Sequence, residues 1–317
     1  MKNLDHESIF LLVGVIVALV LGSLAALLAR KFVETEKARG TLAGVNARLL
    51  GWWGMIAVFL ASIWMGQSST YVLFALSSFW ALREFITLTP TRFADHRTLF
   101  LSFFVVIPLQ YYVLAIDWYG FFLVFIPVYA FLLLPARSAV RGDCERFLER
   151  AAKIQWGLMV CVYCLSHTPA LLKLKIPGYE GENPKLLFWF VLVVETNDVL
   201  QFLWGRVFGR HFVAPQVSPN RTWEGSIGGV ACAVLLGATL HSVTPFSPLQ
   251  AAGMSLAITL MGFAGGLTMS AIKRDRGIKA FGTGLVGQGG VLDRIEAICF
   301  AAPIFFHLTR FYFGQPD

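Results

Sequence analysis

Apolar residues run through this chain in ten long blocks separated by short polar breaks, at about 8–29, 50–66, 70–82, 98–116, 118–134, 155–172, 186–204, 225–241, 248–269 and 289–309. Most are roughly 17 to 22 residues long, the length at which a helix crosses ~30 Å of hydrocarbon. A transmembrane barrel would alternate apolar and polar residues over about ten residues per strand. The pattern predicts an all-α, polytopic integral membrane protein with about ten transmembrane helices. The first block is too long for the core of a signal peptide, and the preceding MKNLDHE is hardly basic, so it is expected to remain as a helix. The block at 70–82 is short and is followed by Arg83-Glu84, which leaves a split or re-entrant segment as an alternative there.

Composition agrees with the pattern. With 56% hydrophobic residues, 14% charged residues over 317 positions and a mean hydropathy of +0.66, the chain has too little polar surface for a soluble globule. The net charge of +7 is concentrated: the connectors near 30–49, 83–97, 135–155, 206–224 and 271–290 hold about 20 of the 26 Lys and Arg residues. Alternating spans place these connectors on one side, which the positive-inside rule makes cytoplasmic, with both termini outside. The basic charge is therefore expected to set topology and meet headgroups, and no nucleic acid is expected as a partner. Within 135–153, Arg146, Arg150 and Lys153 share one helical face, expected either to lie against headgroups or to be solvated. The five cysteines form no disulfide framework, and Cys161 and Cys164, a C-x-x-C inside an apolar block, are expected to be inert. The chain divides into an N-terminal helical half, 1–154, and a C-terminal half, 155–317, that holds the chemistry.

Two polar stretches in the second half, 195–224 and 270–296, carry that chemistry, and both are expected to open on the cytoplasmic face. Glu195 and Asp198 lie three apart on one helical face, continued by Gln201. Carboxylates this close to hydrocarbon are costly unless they face a partner or a water-filled cavity, although hydration at a headgroup-level helix end is the bland alternative. Asp293 and Glu296 repeat the spacing on the last helix. Two such faces meeting would suit a hard divalent cation such as Mg²⁺, whose remaining ligands come from water and phosphate. An ion pair of Asp293 with Arg274 or Arg294 is the structural alternative. Arg206, Arg210 and Arg221 in one stretch and Lys273, Arg274, Arg276 and Lys279 in the other would bind anionic groups. Ser218-Pro219 followed by Thr222 and Glu224 reads as a turn entering a helix, with Thr222 as cap and the helix end open to a phosphate. The run Gly282 to Gly287 matches G-x-G-x-x-G without a preceding strand, so its glycines are expected to permit close backbone approach and not to bind a dinucleotide.

Asp198 with F-L-W-G-R-V-F-G-R, then S-P-N-R-T-W-E-G at 218–225, resembles the nucleotide-binding region of the CDP-diacylglycerol synthases, or phosphatidate cytidylyltransferases. S-A-I-K-R-D-R-G-I-K at 270–279 and G-Q-G-G-V-L-D-R-I-E at 287–296 are similar to that family's C-terminal signature. The resemblance covers about 190–300 and implies a polytopic helical fold in the cytoplasmic membrane. It also implies Mg²⁺-dependent transfer of a cytidylyl group from CTP to phosphatidic acid or a related acidic phospholipid, giving CDP-diacylglycerol and pyrophosphate. Carried over by position, Asp198, Lys273, Arg274 and Asp293 are the implied catalytic residues, with Asp198, Asp293 and Glu296 on metal. Ser218, Pro219, Arg221, Thr222, Glu224, Ser270, Lys279 and Arg294 would contact substrate phosphates or orient the site. The pattern departs from the family at four positions: Gly266 and Ala280 stand where it has Asp, Gln288 where it has His, and Glu296 where it has Asp. The first two departures remove acids outright, so a relative that binds nucleotide or lipid without turnover, or serves as a partner subunit, is the alternative function. The sequence leaves a homodimer open.

Overall fold

A computed structural model of the chain describes residues 13–17, 19–24, 27–28, 36–88, 92–284 and 289–315, with the side chains of 36–49 excepted. The first expected span falls only partly within these residues, which include a short apolar helix over Val13–Leu24. From there the order is α1 (Glu36–Trp64), α2 (Gln67–Thr87), α3 (Phe93–Ala115) and α4 (Tyr119–Ala139). α5 is made of the contiguous segments Phe147–Leu158, Met159–Cys164 and Leu165–Ala170. α6 (Asn183–Phe208) leads into a hairpin of β1 (Phe212–Ala214) and β2 (Ser218–Thr222). α7 (Trp223–Thr239), α8 (Pro248–Asp275) and α9 (Val291–Phe313) complete the described chain. Four of the helices, α3, α4, α6 and α8, are long and apolar enough to cross a bilayer, and shorter apolar helices accompany them. The protein is an all-α integral membrane protein.

The expected blocks correspond to these helices, with two differences. The 70–82 block is not split: α2 is continuous and carries Glu84 inside it. Residues 135–155 hold no separate surface helix, because Phe147–Leu158 runs directly on into the rest of α5. Arg150 there is only 7% exposed and does not meet headgroups. Its Nε lies 3.1 Å from Asp95 and its Nη1 3.3 Å from Asp143, which ties the start of α5 to the start of α3. Partial desolvation of Asp143 works against its ionisation, but the Glu145 N–H and the Arg150 and Arg92 guanidinium groups outweigh it and hold the carboxyl below its ordinary range. Helical spacing placed Arg150 on a face correctly; spacing alone does not say whether that face meets water or a carboxylate.

Prolines account for two irregularities. α3 loosens to a π-helical turn at Ser102–Val106, just before Pro108, and α4 does so at Phe125–Ala130, around Pro127. A proline lacks the N–H for the i−4 carbonyl and its ring presses on that carbonyl, so the turn widens.

The C-terminal half is a bundle in which α6 packs on α7, α7 on α8, and α8 on α9; α9 in turn meets α2 and α5. Its core is aromatic. Trp189 and Phe190 of α6 are fully buried, Phe190 stacks on Phe305 at 5.0 Å, and the Trp189 Nε1–H donates to the Gly237 carbonyl at 3.2 Å. At its other end α6 touches α7 through backbone. A Cβ at Gly225 would lie 2.8 Å from the Gly205 Cα, and one at Gly229 would lie 2.7 Å from the Gln201 N. Gly225 and Gly229 form the small-x-x-x-small spacing that lets membrane helices approach closely. Gly229→Leu is expected to push the helices apart at a cost of about 1–3 kcal/mol. The check is the thermal unfolding midpoint in detergent, which should fall.

Candidate active site

The close α6–α7 crossing constrains the segment between the two helices. α6 ends at Phe208, and the short antiparallel hairpin, pairing Phe212 with Thr222 and Ala214 with Ser218, folds the chain back to start α7. Thr222 is buried and caps α7, its Oγ1 accepting from the Gly225 N–H at 3.2 Å, as the sequence led one to expect. Glu224 in the first turn accepts from the Arg210 and His211 N–H groups at 3.1 and 3.2 Å and pairs with His211 Nδ1. These contacts pin the hairpin to α7, so Arg221 between them is presented in a fixed place. Thr222→Ala should cost about 1 kcal/mol through loss of the cap, measured as a lower unfolding midpoint.

Arg221 reaches across to α8. Its Nη1 donates to the Phe263 carbonyl at 3.1 Å and its guanidinium lies 5.3 Å from the Phe263 ring centre. The position it occupies is the one Gly266 leaves open, since a Cβ at Gly266 would be 2.5 Å from Nη2. The missing acid at 266 therefore has a geometric counterpart: the guanidinium takes the volume a side chain there would fill. Asp198 of α6 is in electrostatic range of Arg221 and of Arg294 on α9, and Glu195 is in range of Asp198 and Arg294. Neither carboxylate hydrogen-bonds to another described residue. On the same helix the Asn197 Oδ1 and both amide atoms of Gln201 are buried without a partner among the described residues.

Beside this group sits a second one, in which a single ammonium pairs with two carboxylates. Lys273 of α8 is 9% exposed, and its Nζ lies 2.9 Å from Asp293 Oδ1 and 3.0 Å from Glu296 Oε2. Its ammonium also lies 5.1 Å from the Phe281 ring centre. The other Asp293 oxygen accepts from the Phe281 N–H at 2.8 Å and the Gly290 N–H at 2.9 Å. The ion pair the sequence left open for Asp293 is thus made with Lys273, and not with Arg274 or Arg294. Arg274, one residue on, turns to the hairpin and donates to the Val217 carbonyl at 3.2 Å and to its own loop at Ile278 at 3.0 Å.

The structure brings Asp198, Glu195, Arg221, Lys273, Asp293, Arg294 and Glu296 to one end of the C-terminal bundle. Other expected site residues lie outside this group. The Ser270 hydroxyl donates to the Gly266 carbonyl of its own helix at 2.6 Å. Ser218 is half-buried in β2, while Pro219 and Lys279 are exposed. Ala280 lies against the turn at Gly289, and Gln288 falls outside the described residues. Among the described residues no group of three or more His, Cys, Asp or Glu side chains is arranged to hold a metal ion. Glu84, read in the sequence only as part of a polar break, contacts this site from α2 by accepting from the Val291 and Leu292 N–H groups. The signal for it was a lone acid set in an otherwise apolar helix.

Residues 46–312 match the profile of a family described as the cytidylyltransferase family. The chain is 39% identical over 268 residues, 84% of its length and 88% of the relative's, to the Escherichia coli (strain K12) protein named Uncharacterized protein YnbB. It is 33% identical over 127 residues to a phosphatidate cytidylyltransferase of Staphylococcus aureus (strain COL), covering 39% of this chain and 49% of that one. With the phosphatidate cytidylyltransferase of Haemophilus influenzae it shares 35% identity over 139 residues, 40% of this chain and 45% of the relative. These two matches span about half the length of those enzymes. The profile, in contrast, covers most of the chain from α1 to α9, and on that ground the protein belongs to the cytidylyltransferase family.

Proposed function

We propose that this protein transfers the cytidylyl group of CTP to phosphatidic acid or a related acidic phospholipid, releasing pyrophosphate. The observation that carries the reading is the group around Asp198 of α6. Two carboxylates without hydrogen-bonded partners among the described residues stand beside two arginines from other elements, midway along a membrane helix. In the reaction, a phosphate oxygen of the lipid forms a bond to the α-phosphorus of CTP, and the bond from that phosphorus to the bridging oxygen of the pyrophosphate breaks. Nucleotidyl transfer of this kind needs positioning and charge neutralisation more than covalent chemistry. Arg221 and Arg294 supply fixed positive charge, and the guanidinium geometry suits paired phosphate oxygens. The basic connectors favour a site that opens to the cytoplasm, where CTP is available.

The oxygen donors fit Mg²⁺ at one of the two carboxylate groups. Asp198 and Glu195 have oxygens to offer, and Mg²⁺ is commonly held by one or two carboxylates with water and substrate phosphate completing the shell. Both Asp293 oxygens already accept from Lys273 or backbone N–H groups, and one Glu296 oxygen accepts from Lys273, so their use as ligands requires those bonds to be exchanged. Bound at Asp198, the cation would offset the phosphate charge that gathers during transfer.

A second reading has one observation in its favour: Lys273 already holds Asp293 and Glu296, and Arg221 fills the space at Gly266, which leaves fewer carboxylates open to a cation. Such a site would hold nucleotide or lipid phosphate without turning it over. Acceptor dependence separates the two. Purified protein in nanodiscs should release pyrophosphate from CTP and Mg²⁺ only when phosphatidic acid or another acidic phospholipid is present. Bound CTP with no release under any of these lipids would overturn the transferase reading in favour of the second.

A further inference from the structure

One buried acid at the site comes from the N-terminal half of the chain. Glu84 of α2 is 7% exposed, and its two oxygens accept from the Val291 N–H at 3.0 Å and the Leu292 N–H at 2.9 Å. These are donors of the first turn of α9, which no helical carbonyl can satisfy, and they sit at the positive end of the helix dipole. Two glycines make the approach feasible. A Cβ would lie 2.5 Å from the carboxylate at Gly282 and 2.2 Å from it at Gly290. The next residue on α2, Phe85, places its ring 6.3 Å from that of Phe281, the ring on which the Lys273 ammonium rests.

We infer that Glu84 is a positioning residue for the active site: it holds the α9 N-terminus, with the Gly290 and Phe281 amides beside it, in the register that lets Asp293 and Lys273 meet. The connection runs in three steps. Glu84 fixes the Val291 and Leu292 amides. The adjoining Gly290 amide and the Phe281 amide then converge on Asp293 Oδ2. Asp293 Oδ1, held from the other side, faces Lys273. Because the Gly290, Val291 and Leu292 N–H groups are already taken, a substrate phosphate would be met by side chains such as Arg294 and Arg221 and not by these three donors. The N-terminal half is on this account part of the site's framework, not merely its neighbour in the membrane.

The activity arm rests on the transferase reading; the exchange arm does not. Hydrogen exchange of the protein in nanodiscs, followed by mass spectrometry, reads the amides of 280–296 directly. Glu84→Gln replaces one acceptor with an NH₂ that opposes a backbone N–H. It should speed exchange in 280–296 by at least about tenfold and leave 198–225 unchanged. Gly290→Ala keeps the carboxylate but drives its methyl into it, and should reproduce the effect without altering charge. In turnover, Glu84→Gln should lower kcat roughly 10- to 100-fold, as misplacement does, with KM for CTP held within about twofold. Unchanged exchange in 280–296 for both variants overturns the inference. So does acceleration that is equal in 198–225, which would mark general destabilisation. If the unaltered protein transfers nothing to lipid, the transferase reading fails, and the exchange result still decides the role of Glu84.

Discussion

Asp198→Asn is expected to lower cytidylyl transfer by at least about 100-fold, the scale on which removing a group that organises charge in the transition state is felt. The substitution keeps the shape of the side chain and removes only its charge. Its carboxylate makes no hydrogen bond to another described residue, so little folding free energy should go with it; the charges nearest to it are Arg221 and Arg294. The unfolding midpoint should therefore stay close to that of the unaltered protein while transfer is lost. CTP binding in the presence of Mg²⁺ should weaken as well, and it should weaken less in the absence of the cation. Retention of most of the activity would show that the Asp198 carboxylate is not the one that matters.

Lys273→Met is expected to act in the opposite sense, on folding before chemistry. Lys273, Asp293 and Glu296 have side chains only 11%, 8% and 14% exposed, and the ammonium holds both acids at 2.9 and 3.0 Å. Removing one partner of a buried pair leaves charge uncompensated and costs about 3–5 kcal/mol. Here one cation serves two carboxylates, so the value belongs at the upper end of that range. Thermal unfolding in detergent should show a large drop in midpoint. The triple variant Lys273→Met, Asp293→Asn, Glu296→Gln removes all three charges together and should recover much of the loss. The amide that replaces the Asp293 carboxylate keeps an oxygen for the Phe281 and Gly290 N–H groups, which is why recovery is expected at all. A triple variant as unstable as the single one would mean that packing of the lysine stem, and not its charge, carries the effect.

The contrast between these two substitutions comes from how the four acids are held, and little of that was visible in the sequence. The spacing of Glu195 with Asp198 and of Asp293 with Glu296 correctly put each pair on one face. What it lacked was the neighbour. Residues 273 and 274 differ by about 100° around a helix, so one faces α9 and the other the hairpin, and the order of Lys and Arg alone does not say which. Glu84 illustrates the same limit more sharply, because its partners are backbone amides 207 and 208 positions away. Backbone donors leave no trace in a residue pattern.

The membrane architecture was legible for the converse reason. Hydrocarbon imposes length and apolarity on every span, one residue at a time, so α3, α4, α6 and α8 could be placed to within a few residues. Their ends were less so: α8 carries on through Lys273 and Arg274 to Asp275, since a helix does not have to stop where its apolar stretch does. The hairpin was read only as a basic turn. Its two strands are three and five residues long and depend on Glu224 reaching back to Arg210 and His211, a contact between loop and helix that no periodicity encodes. The departure at Gly266 could be noted from the sequence; that Arg221 occupies the vacated space could not.

On the proposed reading, the group around Asp198 moves a cytidylyl unit onto a lipid phosphate. The direct measurement is transfer of the α-phosphorus of labelled CTP into lipid by purified protein in nanodiscs containing phosphatidic acid and Mg²⁺. A labelled CDP-lipid should form in step with pyrophosphate. No labelled lipid with phosphatidic acid or any of several other acidic phospholipids, while CTP still binds, would contradict it.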